Sequence, residues 1–217
     1  MEPIIETKFQ SGEESSSILK IVLVGDSKVG KTTLVNALVR RGVSERGYSV
    51  SFELPLQDED SNSKTKMKGI IYDLRSQRYF PYLHSLFYHS AKGAIIVFDV
   101  TNKVSYRSIS KWRDIIWGHV GNVPLLLCGN KSDLRENNSE QASISEIKEL
   151  AKNLTEKQHI PIPYLEISAA NRIIAYSEVI ETPTEDEDIY PSIDAFRKPF
   201  ENWLIQIVKK GKLLKSF

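Results

Sequence analysis

The sequence predicts an α/β fold, a parallel sheet with helices against both of its faces. Short apolar runs of strand length alternate with longer segments of helical spacing, as in a chain that crosses back over a buried sheet. The first run also leads through a glycine-bounded loop directly into a helix. That unit comprises Ile18 to Val24 (ILKIVLV), the loop Gly25 to Gly30, and a helical segment from Lys31 to Val39. Ser49 to Leu56 and Lys64 to Asp73 read as two strands able to pair as a hairpin through the polar turn Gln57 to Ser63. Gly93 to Val100, Val123 to Cys128 and Tyr164 to Ile167 are the remaining strands, with helical patterns at about 104–118 and 144–156. The last amphipathic segment runs from Ile193 to Lys210, with Phe196, Phe200, Trp203, Leu204 and Ile207 at helical spacing. Pro199 interrupts it and predicts a regular helix that starts only there.

A chain of 217 residues supplies one full-sized core. Its 29 basic and 28 acidic residues leave a net charge of +1, which argues against nucleic acid as the main partner. The single cysteine, Cys128, excludes an intramolecular disulfide framework and a cysteine zinc cluster, and fits a reducing, cytoplasmic setting. No apolar run approaches the roughly 18 residues of a membrane span, and the N-terminus lacks the apolar core of a signal peptide. The polar stretch from Ser11 to Ser17 has nothing to bury, so residues 1–17 are expected to form a flexible leader ahead of one domain spanning 18–210.

Gly25-Asp26-Ser27-Lys28-Val29-Gly30-Lys31-Thr32 fits the pattern G-x-x-x-x-G-K-[ST], and Thr33 follows. Such a loop turns successive backbone N–H groups inward around phosphates, and the next helix adds its positive end. Lys31 is placed to reach the β- and γ-phosphates, and the Thr32 hydroxyl to ligate Mg²⁺. The buried strand before and the helix after are the context that separates this motif from an incidental glycine turn.

Asn130-Lys131-Ser132-Asp133 selects the base, because it directly follows the strand ending at Cys128. A carboxylate at Asp133 accepts both the ring N–H and the exocyclic amine of guanine, a donor pair that adenine lacks. Asn130 can donate to the purine and tie its loop to the phosphate loop, while the Lys131 stem can lie across the base. After the next strand, Ser168-Ala169-Ala170 offers a backbone N–H to the guanine oxygen.

Together these residues resemble the Ras superfamily of small GTPases over about residues 18–210. The phosphate loop, Tyr88 to Ala94 (YHSAKGA), Ile95 to Thr101 (IIVFDVT), Ser105-Tyr106 and Trp112 look most like the Rab branch. The resemblance implies a phosphate-loop G domain, with a six-stranded mostly parallel sheet, one antiparallel edge strand and five helices. It implies GTP or GDP bound with Mg²⁺, slow hydrolysis, and effectors, exchange factors and GTPase activators as partners. Lys31 and Mg²⁺ would stabilise charge, Gln77 would orient the attacking water, and Asp73 would hold the magnesium shell.

The departures from that family are local. Its D-T-A-G-Q-E segment reads Asp73-Leu74-Arg75-Ser76-Gln77-Arg78 here, with Ser76 in place of the glycine whose N–H swings against the γ-phosphate. Arg75 is either a cation acting on the phosphates in cis or a solvent-facing side chain. No threonine occurs between Thr33 and Thr65, so the metal-contacting switch threonine is missing. Ser51, 22 residues before Asp73, has the matching offset, with Tyr48 ahead of it and Ser49 as the runner-up. Lys28 stands where the family has a small residue, and an acidic insertion at 172–192 carries Glu178, Glu181, Glu185, Asp186, Glu187 and Asp188.

The basic tail, 211–217, holds no cysteine for prenylation, and Glu2 excludes N-myristoylation, so membrane contact is expected to be weak or partner-mediated. His84, His89, His119 and His159 lack metal spacing, Cys128 reads as an inert core thiol, and Trp112, Trp117 and Trp203 as residues packing helices onto the sheet. Two functions follow: a switch GTPase, or an interaction module that binds guanine nucleotide with little hydrolysis or switching. A phosphate-loop kinase or ATPase is opposed by Asn130-Lys131-Ser132-Asp133.

Overall fold

The computed structural model describes residues 18–38, 49–57, 64–73, 88–136, 141–158, 161–178 and 193–213. Their strands are β1 (Leu19–Val24), β2 (Ser49–Gln57), β3 (Lys64–Asp73), β4 (Gly93–Asp99), β5 (Leu125–Asn130), β6 (Tyr164–Ser168) and β7 (Ile173–Ser177). The helices are α1 (Lys31–Leu38), the single-turn α2 (Lys103–Arg107), α3 (Ile109–Val120), α4 (Ile144–Gln158) and α5 (Ile193–Leu213). They form one sheet in the order β2-β3-β1-β4-β5-β6-β7. The strands β3, β1, β4, β5 and β6 run parallel, and β2 pairs antiparallel with β3 at one edge, with Ser49 opposite Tyr72 and Gln57 opposite Lys64.

The central strands are apolar throughout because helices cover both faces, and alternate side chains enter two different cores. Ile21 and Leu23 of β1 join Ile95, Val97, Leu126, Cys128, Leu165 and Ile167 on the face covered by α1 and α5. Val22 and Val24 join Ile96, Phe98, Leu125, Leu127 and Tyr164 on the face covered by α3 and α4. Burial pushes the Cys128 thiol far above its usual range, as for an inert core cysteine.

The six expected strands are all present, and β7 adds a seventh, antiparallel to β6 with a bulge at Glu166/Ile167. The expected acidic insertion therefore begins as an edge strand, and Glu178, one residue past its end, ties it to the start of β6 by accepting the Tyr164 backbone N–H at 2.8 Å. Residues 179–192 lie outside the described residues, as do the leader, Ser76, Gln77 and the last four residues of the tail.

The proline in the last helix behaves differently from expectation. The helix α5 begins at Ile193, with Pro199 inside it. The expected start at Pro199 is therefore corrected by tertiary packing. Phe196 is buried ahead of the proline, its ring 6.0 Å from that of Phe200, and Arg197 pairs with Glu201 across it at 3.0 Å. Burying one such aromatic is worth about 2–3 kcal/mol, comparable with the roughly 3 kcal/mol that an interior proline costs a helix.

Helix α4 starts with a reciprocal cap. Ser143 N donates to Glu146 Oε2 at 2.8 Å, and Glu146 N donates to Ser143 Oγ at 3.1 Å. Lys103 of α2 pairs with the same carboxylate at 2.9 Å. The Lys103 bond, then the Ser143 bonds, hold the Glu146 carboxyl at about 2 rather than the ordinary 4.5. A depressed folded-state value means that this contribution is complete above pH 4.5 and is lost as the pH falls towards 2. The Glu146 side-chain carbon resonance is expected to titrate near pH 2, and Ser143→Ala to move that midpoint upward.

Candidate functional site

The phosphate-loop sequence connects β1 to α1 at the carboxyl ends of the parallel strands, with β3 on one side of β1 and β4 on the other. Open α/β sheets place their ligand crevice at such a position. Two glycines give the loop its path. Gly25 has φ 142°, and a Cβ there would stand 2.0 Å from the Val97 carbonyl oxygen. Gly30 has φ 94°, and a Cβ there would stand 2.2 Å from Asn130 Nδ2. No other residue fits either position without moving backbone or that amide. Lys28 adopts the left-handed region at φ 67°, which explains why a small residue is easier there.

Between these glycines, Val29 is buried in the core, whereas Ser27 and Lys28 are exposed. Leu34 N donates to Gly30 O at 2.9 Å, which starts the helix. Lys31 is only 8% exposed. Its Nζ donates to the carbonyls of Gly25 at 2.8 Å and Asp26 at 2.7 Å, so the ammonium is held inside the curve of the loop. Thr32 is half-buried in the first turn of α1 and Thr33 is exposed. A buried cation, inward-curving backbone and the start of a helix form a donor set suited to a polyphosphate.

Asn130, 3% exposed at the end of β5, joins the three loops. Its Nδ2 donates to Val29 O at 2.9 Å, and its Oδ1 accepts from Ala169 N at 2.9 Å. The bond to the phosphate loop was expected, and the one to Ala169 extends it to the third loop. Lys131 has φ 67°, and its Nζ lies 2.5 Å from Asp99 Oδ2. Asp99 Oδ1 in turn accepts from Thr101 N and Oγ1 at 2.9 and 2.6 Å. The Lys131 ammonium is thus anchored to the end of β4. Asp133 is exposed in a 3₁₀ turn, Ser132–Leu134. Ser168 is buried and accepts Asn171 N at 3.2 Å, while Ala170 is exposed beside the buried Ala169.

Behind these loops lies a charged network absent from the sequence reading. Arg135 donates to both oxygens of Glu166, Nε to Oε1 at 2.7 Å and Nη2 to Oε2 at 2.8 Å, and its Nη1 donates to Ala142 O at 2.8 Å. Glu166 is 2% exposed and also accepts the Tyr164 hydroxyl. Burial and then the Glu166 charge push that hydroxyl far above its ordinary range, so it remains a donor. Burial opposes the Arg135 charge, but Glu166 more than offsets it and the guanidinium is held above its usual value. Arg135 stands two residues after Asp133, and Glu166 two residues before Ser168, so the pair cross-links the two base loops from below.

The remaining expected residues are placed by strand register alone. Asp73 pairs with Leu23 of β1, which brings the end of β3 to the edge that carries the phosphate loop. Ser51 is a ladder residue opposite Ile70, three positions or about 10 Å along the strand from the level of Asp73. Ser49, opposite Tyr72, is nearer. Gln77, Arg75 and Ser76 lie outside the described residues. Asp99, Arg135 and Glu166 were missed because their partners are set by the sheet. The only local signal was Asp99-Val100-Thr101, an acidic residue ending a strand with a hydroxyl two positions later.

The Ras family model matches residues 20–185. The chain is similar to the Ras-related protein Rab-11A of Dictyostelium discoideum, 27% identical over 191 residues that cover 85% of this chain and 88% of that one. It is similar to the Ras-related protein RABA5a of Arabidopsis thaliana, 35% identical over 132 residues, or 59% of each chain. The Ras-related protein YPT3 of Nicotiana plumbaginifolia is 31% identical over 129 residues, 58% of this chain and 59% of that relative. The match thus spans about three-fifths of the length of the latter two relatives.

Arg135→Met removes one partner of the buried pair and strands the Glu166 carboxylate. It is expected to lower unfolding free energy by about 3 kcal/mol in denaturant titration, as broken buried pairs do. The exposed Arg172→Met, by comparison, is expected to stay within about 0.5 kcal/mol.

Proposed function

The chain belongs to the Ras family, and from that premise we propose that it binds GTP and GDP with magnesium and hydrolyses GTP slowly as a molecular switch. The observation that carries this is the Asn130 bridge, which ties the phosphate loop to the Ser168–Ala170 loop while Asp133 stays open to a ligand. Asp133 reads the guanine donor pair, and the Ser168–Ala170 loop offers the base oxygen a backbone N–H, that of the exposed Ala170, since the Ala169 N–H is held by Asn130 Oδ1. Gly25, Asp26, Ser27, Lys28, Val29 and Gly30 wrap the phosphates, with Thr33 beside them. Thr32, Asp73 and Ser51 are the metal residues, and magnesium bound there would neutralise the β- and γ-phosphate oxygens. Recruitment of Ser51 requires the start of β2 to leave its ladder, a movement of the kind that a nucleotide switch uses.

For hydrolysis, Gln77 orients a water in line with the γ-phosphorus. Water attacks, the bond to the β-phosphate bridging oxygen breaks, and GDP and inorganic phosphate result. Lys31 stabilises the charge that gathers on the phosphate oxygens. Effector proteins would read the switch, and an exchange factor and a GTPase activator would set its state, in the cytoplasm. No helix among the described residues is long and apolar enough to cross a membrane, and partner-mediated contact with one fits this assignment.

A second reading is favoured by one feature, the seating of Ser51 within the β2–β3 ladder opposite Ile70. With that residue withdrawn and Ser76 in the usual glycine position, the protein would hold nucleotide as an interaction module without turning over. Single-turnover conversion of bound GTP to GDP separates the two. Wild type is expected to convert at about 10⁻⁴ to 10⁻² per second and Gln77→Leu more slowly. Tight GTP loading with no conversion in either protein contradicts the switch and leaves the module.

A further inference from the structure

The indole of Trp112 is buried on α3, within the core of that face, yet its Nε1–H is directed at the phosphate loop. It donates to Asp26 Oδ1 at 2.9 Å, across 86 residues of sequence. Asp26 is held at a second point, because its carbonyl accepts Lys31 Nζ at 2.7 Å. One loop residue is therefore gripped by its side chain from helix α3 and by its backbone from the lysine inside the loop.

Asp26 brings a negative charge to a loop built for an anion. A carboxylate free to turn toward the phosphates would repel them, and at a partly buried site that repulsion is not fully screened. An indole donor is well suited to prevent this, since it accepts nothing, has a fixed direction, and is locked by the packing around it. Given the nucleotide-binding reading above, on which this rests, we propose that Trp112 is a positioning residue: it latches the Asp26 carboxylate against α3, away from the phosphate cradle, and so lengthens nucleotide residence.

The latch and simple packing predict different results in a charge test. The full chain is loaded with radiolabelled GDP and Mg²⁺, chased with unlabelled GDP, and followed by filter retention, so that losing an indole does not alter the signal. Trp112→Phe keeps the aromatic packing and removes the donor, and release is expected to be about tenfold faster, the scale of one hydrogen bond to a charged group. Adding Asp26→Asn to Trp112→Phe removes the unlatched charge, and release is expected to slow again toward wild type. Asp26→Glu leaves the core intact and displaces the carboxylate from the indole, and it too is expected to release faster. Equal release from wild type, Trp112→Phe and Asp26→Glu overturns the latch. A double variant at least as fast as Trp112→Phe also overturns it, since the ring would then act by packing alone. A wild-type chain that retains no labelled GDP overturns the nucleotide reading together with the latch, whereas a retaining wild type confines any failure to the latch.

Discussion

Asn130 meets three requirements at once, two through its carboxamide and one through its backbone, and the remainder of the site is arranged around it. Its amide nitrogen holds Val29 in the phosphate loop and its oxygen holds Ala169 in the third loop, while its own backbone closes the end of β5 through Val100 N. A buried primary amide makes such a double bridge only where one donor and one acceptor arrive on opposite sides. The sheet order supplies this geometry, because β1 and β5 flank β4 and β6 lies beside β5. Gly30 follows as a consequence: the Asn130 nitrogen occupies the space that any side chain at that position would need.

Charge within the site is ordered in the same manner. The ionised groups near the loops that are at least half-buried have partners that fix their direction: Lys31 with two loop carbonyls, Lys131 with Asp99, Asp26 with Trp112, and Arg135 with Glu166. Buried charge is tolerated only with such partners, and partnered charge resists reorientation. Asp133 differs, exposed on a short 3₁₀ turn. An acceptor left open beside three fixed loops is what a specific base demands, since discrimination arises when a mismatched ligand leaves a site group unpaired.

Contiguous chemistry was legible in the sequence. Gly25 to Thr32, between a strand and a helix, and Asn130 to Asp133, after a strand, are contiguous runs readable from spacing and context together, and the apolar strands named the sheet. Long-range partners were not legible. Trp112 reads as a packing residue until the fold brings Asp26 to it, and Arg135 carries no local signal in the sequence before β6 places Glu166 beneath it. Acidic residues after Asn171 concealed β7, whose five residues IIAYS are too short to declare a strand beside so much charge. At Pro199 local propensity was overruled, because the burial of Phe196 and Phe200 outweighs the proline's preference for a helix start.

The central claim, that these three loops form a guanine site, is tested most directly by calorimetric titration of the full chain with GDP and with ADP in the presence of Mg²⁺. The arrangement of Asp133 beside the Asn130 bridge predicts GDP binding tighter than ADP by at least about a hundredfold. Equal affinity for the two nucleotides, or tighter ADP, would contradict it.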